Sequence, residues 1–214
     1  MKKSSWALSL LLIFVVASCG PSHKVTSSWV SPEAKTSQKK YTSIFIAVLS
    51  QNQSAKNIIE EDLAKAARAR GYKAIKSSEV FAPNFTKDQA DKAVILAKVK
   101  ELGCDAILTS ALIDKQSETR YNPGTVSYTP YMGYGGGYGF GGYYGYMYPT
   151  MYGSPGYYTT EKTYFIETNL FDVASEKMIY SVQSQAYDPS TITAFSRDYC
   201  EVITQQFTKD LKAR

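Results

Sequence analysis

Histidine is nearly missing from this chain of 214 residues, which has only His23. That excludes a histidine-rich metal site and any Ser-His-Asp or Cys-His relay that does not use His23 itself. His23 falls in a polar stretch read below as a tether, so no folded site is expected on it. Cysteine is scarce as well: the three are Cys19, Cys104 and Cys200, too few for a disulfide scaffold. No apolar run approaches the roughly 20 residues that a membrane-spanning helix needs. Charge of one sign is not in large excess, with 24 Lys and Arg against 19 Asp and Glu. Because the two signs are interleaved rather than gathered into a block, nucleic acid is not an expected partner.

What is present begins at the amino terminus. Lys2 and Lys3 precede the short apolar run Trp6 to Val16, and the run ends in Val16-Ala17-Ser18-Cys19-Gly20. A charged start, an apolar core too short to span and small residues at its end have the form of an export signal. Val16-Ala17-Ser18-Cys19 resembles the lipobox of bacterial lipoproteins. The resemblance implies that residues 1–18 are removed and that Cys19 carries diacylglycerol and then a further acyl chain, a combination that anchors stably where one chain does not. Gly20 rather than aspartate after that cysteine favours, by analogy with Gram-negative sorting, the outer membrane. Removal of Lys2 and Lys3 leaves 22 of the 24 basic residues against 19 acidic ones, in a chain long enough for one domain with a tail.

Residues 19–40 (from Cys19, then GPSHKVTSSWVSPEAKTSQKK) are rich in Ser, Lys and Pro without an apolar period and are expected to be a lipidated tether. Trp29 and Val30 interrupt this polarity and could form a short strand or dock on the domain. Residues 41–214 form the domain. Tyr41 to Leu49 is apolar enough for a central strand buried on both faces. Ser54 can cap a helix whose stripe is Ala55, Ile59, Leu63, Ala66 and Ala67, ended by Gly71. A short strand around Tyr72 to Ile75 follows. A second helix is announced by Thr86 and Gln89 at capping-box spacing, with Ala90, Ala93, Val94, Ala97 and Leu102 inward and Gly103 as its stop. Ala106 to Ile113 reads as a strand. Thr163 to Val173 and Lys177 to Tyr187 read as a hairpin, and a closing helix opens at Asp188-Pro189. The order β-α-β-α-β-β-β-α defines an α/β fold, a single mixed β-sheet covered by helices.

Three segments carry a further resemblance: Gly71-Tyr72-Lys73-Ala74-Ile75, Leu102-Gly103-Cys104-Asp105-Ala106-Ile107-Leu108, and Asn169-Leu170-Phe171-Asp172-Val173 followed by Lys177-Met178-Ile179-Tyr180-Ser181. Over residues 41–119 and 160–213 this succession is similar to the penicillin-binding-protein activator lipoproteins, the curli-secretion lipoproteins and the amino-terminal domain of the Tol translocation protein. The resemblance implies the fold more than a function, and its curli-secretion members imply that ring assembly is open to this chain. Ser175-Glu176 stand where those groups usually place glycine in the last hairpin.

Between the third strand and the hairpin lies an insertion, residues 121–160, with twelve of the chain's 18 tyrosines, eleven of its 14 glycines and no charged side chain. Glycine loses too much backbone entropy to favour regular structure, and the tyrosines have no fixed period. A long, low-complexity loop is expected. Tyrosine gives contact area at low entropic cost, so Tyr131, Tyr134, Tyr138, Phe140, Tyr143, Tyr144, Tyr146 and Tyr148 are the candidate partner-binding side chains. The alternative is a passive insertion, tolerated because loop closure costs grow slowly with length.

Candidate chemistry is sparse. Glu60-Glu61-Asp62 is the densest acidic cluster, and on a helix it is expected to fan out as a solvated face. Cys104 and Cys200 are candidates for one disulfide or for two reduced core thiols. No catalytic residue, metal ligand or cofactor site is expected. The functional expectation is a non-enzymatic, lipid-anchored envelope protein that recognises an envelope protein or peptidoglycan. Self-association into a structural component, and a carboxylate-dependent hydrolase of envelope polymer, are the alternatives.

Overall fold

A computed structural model of the chain describes residues 23–37, 39–82, 92–117, 139–142 and 162–212. Its centre is a six-stranded mixed sheet in the order β1-β6-β5-β4-β2-β3. The strands are β1 (His23–Val30), β2 (Ser43–Leu49), β3 (Lys73–Lys76), β4 (Ala106–Ser117), β5 (Lys162–Asp172) and β6 (Met178–Tyr187). The helices that accompany them among the described residues include α1 (Pro32–Thr36), α2 (Gln53–Arg68), α3 (Ser77–Val80), α4 (Lys92–Glu101) and α5 (Ile192–Lys212). The expected α/β class, a mixed sheet with helices, is the architecture observed.

β2, β3 and β4 run parallel, joined by helical crossovers, whereas β4-β5-β6-β1 is antiparallel. Residues alternate between the two faces of a strand, and β2 buries both sets. Ile46 and Val48 face a cluster with Ile59, Leu63 and Ala64 of α2 and Tyr199, Cys200 and Ile203 of α5. Phe45, Ala47 and Leu49 face the other cluster, with Ile95 and Val99 of α4, Ile107, Phe171 and Phe140.

Both helix stops are glycines in the left-handed region, Gly71 at φ 86° and Gly103 at φ 69°. Each closes its helix with paired bonds back to the last turn: Gly71 N–H to Arg68 O and Tyr72 N–H to Ala67 O, then Gly103 N–H to Lys100 O and Cys104 N–H to Val99 O. Asn52, not Ser54, caps α2, its side chain accepting from Ala55 N–H. Thr191 bonds the Ala194 N–H at the start of α5, one turn beyond the expected Asp188. In α4 the inward side chains are Ile95 and Val99, while Val94 is 54% exposed. The run KAVILAKV is apolar nearly all round, so periodicity alone did not select a face, and the sheet takes the larger side chains. Thr86, Gln89 and Ala90 lie outside the described residues. In the β5–β6 turn, Glu176 adopts φ 60° in the place where glycine is usual.

Two expectations are corrected. Residues 23–30, assigned to the tether, form β1, an edge strand antiparallel to β6, followed directly by α1. An edge strand is held by one ladder of backbone bonds, so polar side chains such as Lys24, Thr26 and Ser28 do not prevent it from forming. Phe140, assigned to the recognition loop, is 2% exposed and belongs to the core. Its ring meets Phe171 edge-on at 5.5 Å and its N–H donates to Glu176 O at 2.8 Å. Beside it, a Cβ on Gly139 would lie 2.5 Å from the same Glu176 carbonyl oxygen, so only glycine lets the backbone approach the hairpin this closely.

The middle of the insertion is therefore fastened to the β5–β6 turn. Truncating a buried phenylalanine costs about 3–5 kcal/mol. Phe140→Ala is expected to lower the thermal midpoint by about 10 °C in a circular dichroism melt. An unchanged midpoint would show that Phe140 is dispensable to the core.

Candidate functional site

The polar groups most in need of explanation lie within the sheet itself. On the α4 side, the register places Thr109 of β4 opposite Asn169 of β5, and Asn169 opposite Ser181 of β6. One step along, Glu167 lies opposite Gln183, which lies opposite Ser27 of β1. Thr109, Glu167 and Asn169 are fully buried. Glu167 accepts from Asn169 Nδ2 at 2.8 Å and from Gln183 Nε2 at 3.3 Å, and Gln183 Oε1 in turn accepts from Ser27 Oγ at 3.2 Å. Thr109 Oγ1 and Asn169 Oδ1 have no hydrogen-bond partner. Leaving such atoms unmet costs about 1–3 kcal/mol each, and a polar pair of this kind is where a buried water is usually held. The set can fix a water or a polar group by hydrogen bonds.

On the opposite face lies a second polar file. Tyr199 of α5 donates to Ser110 Oγ at 2.8 Å and shares a 2.6 Å bond with Thr168 Oγ1. Next to it His23, 2% exposed, bonds Ser184 Oγ through Nε2 at 3.0 Å and packs against Phe195 and Tyr199. Its Nδ1 has no partner. Burial pushes the imidazole down to about 4, and the Asp198 charge opposes this only in part. His23 is thus a neutral core residue, not a tether residue, and the file fastens β1 to β6 and α5.

The acidic cluster is not the solvated face expected. Glu60 is fully buried and accepts three bonds, from Val48 N–H at 3.0 Å, Ser77 Oγ at 2.5 Å and Ser78 N–H at 2.9 Å. It ties α2 to β2 and to the start of α3. Its neighbours behave more conventionally: Glu61 pairs with Lys76 at 2.7 Å, and Asp62 accepts from Ser196 Oγ at 2.6 Å. The bond from Lys76 holds the Glu61 carboxyl below the usual range. Glu60 stands four residues before Ala64 and next to Ile59, both buried, and that spacing was the available signal for its burial.

Cys104 and Cys200 are both free and belong to clusters on opposite faces of the sheet, which excludes the bridge considered above. Burial raises the Cys104 thiol and pushes the Cys200 thiol up to about 12, so neither is a ready nucleophile. At the β5–β6 turn, burial of Asp172 acts to raise its carboxyl. The Lys39 ammonium, with donors from Ser175 and Tyr41, outweighs this and holds the group down at about 2. This pairing closes the hairpin.

Among the described residues no group of His, Cys, Asp and Glu could hold a metal ion, and no helix is long and apolar enough to cross a membrane. Cys19 and the tyrosines Tyr131, Tyr134, Tyr138, Tyr143, Tyr144, Tyr146 and Tyr148 lie outside the described residues. The buried polar rows were missed because they come from different strands, and only register brings them together.

No family model and no curated protein matches the chain. Among solved structures it is similar to the PelC dodecamer from Paraburkholderia phytofirmans, with 12% identity, a TM-score of 0.44 and coverage of 85% of this chain and 95% of that one. It is also similar to lipoprotein GNA1162 from Neisseria meningitidis, with 13% identity, a TM-score of 0.42 and coverage of 78% and 99%. At TM-scores below 0.5, neither similarity assigns a function.

Two outcomes follow from these environments. An unfolded histidine titrates at 6.5 and His23 at about 4, so the folded state binds fewer protons between those values. Its stabilising contribution is present above pH 6.5 and is lost as pH falls to 4, by up to about 3 kcal/mol. Urea denaturation at pH 7 and pH 4.5 should show this loss, and His23→Gln should remove most of the difference. In a thiol assay without reductant, Cys104 and Cys200 should react slowly in the native protein and completely in denaturant. Two thiols still protected in denaturant would mean a bridge.

Proposed function

We propose that this chain is a non-catalytic, lipid-anchored protein of the bacterial cell envelope, held through acylated Cys19 at the outer membrane. The observation that carries the reading is Val16-Ala17-Ser18-Cys19, placed at the end of a short apolar run that follows Lys2 and Lys3. The interior chemistry supports it. Glu60, Asp172 and Tyr199 each spend their hydrogen bonds on joining elements of the fold, and burial raises both thiols, the Lys73 charge near Cys104 opposing this only in part. The domain acts as a recognition or assembly unit for an envelope protein or peptidoglycan, with oligomeric assembly a further mode of use. The tyrosines on either side of Phe140 remain its proposed contact residues. Phe140 itself anchors the insertion.

Intact-mass analysis of protein extracted from membranes should find the mature chain starting at Cys19 with acyl chains attached. Cys19→Ala should move the protein to the soluble fraction. A chain retaining residues 1–18, or one still membrane-bound without acylation, overturns this reading.

A further inference from the structure

The distance between the anchor and the folded domain is unusually short. His23 begins β1, so only Gly20, Pro21 and Ser22 separate it from Cys19. Fully extended, four residue steps reach at most about 14 Å. The expected tether of some twenty residues is therefore reduced to three, and the end of the sheet that carries His23 is confined near the acyl chains.

Register identifies what shares that end. His23 lies opposite Ala186, Ala186 opposite Tyr164, and Tyr164 opposite Lys115. Here β4 and β5 run on past the end of β2, whose pairing stops at Leu49 and Ala111. The insertion leaves after this extension of β4 and returns at Lys162. Three of the large apolar side chains that the fold leaves exposed belong to the same end: Leu112 on the extension of β4, Tyr187 at the end of β6 and Ile192 at the start of α5. Lysines accompany them. Lys24 Nζ lies 5.1 Å from the Tyr187 ring centre and Lys115 Nζ 5.7 Å from that of Tyr164, with Lys162 at the start of β5. Among the described residues, Asp114 and Asp188 are the acidic residues on the same strand ends, and the Asp198 charge acts on His23 from α5. Exposed aliphatics with tyrosine rings under lysine ammonium groups match the water–lipid boundary, where aromatic rings sit at headgroup depth and lysine stems lie along apolar surface with their charge in water.

We infer that the His23 end of the sheet is a phospholipid-contacting surface, through which Lys24, Lys115, Lys162, Tyr187, Leu112 and Ile192 seat the domain on the bilayer in one orientation. The inference rests on the acylation of Cys19 proposed above. In this orientation the strands stand away from the membrane, and the β5–β6 turn with Asp172 lies at the distal end. Eleven residues of β5 separate the two ends, about 35 Å at the rise of a strand. The insertion then leaves the domain at the lipid surface and is fastened at Phe140 close to the distal turn.

The test uses the full acylated protein, reconstituted into vesicles of phosphatidylethanolamine and phosphatidylglycerol that carry a headgroup-linked quencher. A fluorophore is placed at Ser190→Cys, near the proposed contact, or at Ala174→Cys, in the distal turn. Native labelling spares the buried Cys104 and Cys200. The Ser190 label should be quenched at least fivefold more efficiently than the Ala174 label. Replacing Lys24, Lys115 and Lys162 together with glutamate should bring the two efficiencies within twofold of each other while intact mass still shows acylation. Equal quenching of both labels in the acylated wild-type domain would overturn the seated orientation and leave the lipoprotein reading standing. Absence of acyl chains on Cys19 in the intact-mass measurement would overturn both.

Discussion

The domain depends on β4, the strand at which two kinds of sheet meet. On one side it pairs parallel with β2 from Ala106 to Ala111; on the other it pairs antiparallel with β5 along its full length. A parallel pair needs a crossover, and α4 supplies it. The antiparallel pair has no short turn, because the residues between Ser117 and Lys162 intervene. Long-range pairing therefore bears the closure entropy of the whole insertion and must recover it from contacts within the sheet. The two-sided burial of Ile107 and Leu108 in the first half of β4 contributes to that recovery.

A strand buried on both faces needs cover on both. On one face α2 and α5 lie side by side over Ile46, Val48, Leu170 and Val182. The other face has the shorter α4, and Phe140 completes the cluster around Phe171 and Met178. The low-complexity insertion is in this respect part of the hydrophobic core, contributed through one aromatic residue flanked by glycines. The same economy holds at the edge, where His23 and Val25 bring β1 onto the larger cluster although most of that strand is polar.

Buried polar groups link these layers. Glu60 joins a helix, a central strand and the start of another helix; Tyr199 joins α5 to β4 and β5; Asp172 closes the β5–β6 turn onto Lys39 and Tyr41. Breaking one of these leaves a partner buried without a bond, which is more costly than the bond is worth when formed. They specify one arrangement of elements. Among the described residues the matching is incomplete at Thr109 and Asn169 on one face of the sheet and at His23 Nδ1 on the other.

The class of fold, the two-sided burial of β2 as an interior strand, the two glycine helix stops and the β5–β6 hairpin were legible in the sequence, because each depends on local signals: continuous apolar runs, a residue that tolerates positive φ, and a short polar turn between apolar strands. The proposed export signal and the proposed anchor at Cys19 rest on equally local patterns. Tertiary structure decided the rest. Whether Glu60 meets solvent or backbone donors depends on where β2 and α3 lie. Whether Cys104 and Cys200 can meet depends on which faces of the sheet they take. The polar segment at His23 becomes a strand only because β6 offers it an open edge, and one phenylalanine among forty low-complexity residues is core only because Phe171 leaves room for it. Local preference sets what a segment can be; burial and pairing, which depend on residues distant in the chain, set what it becomes.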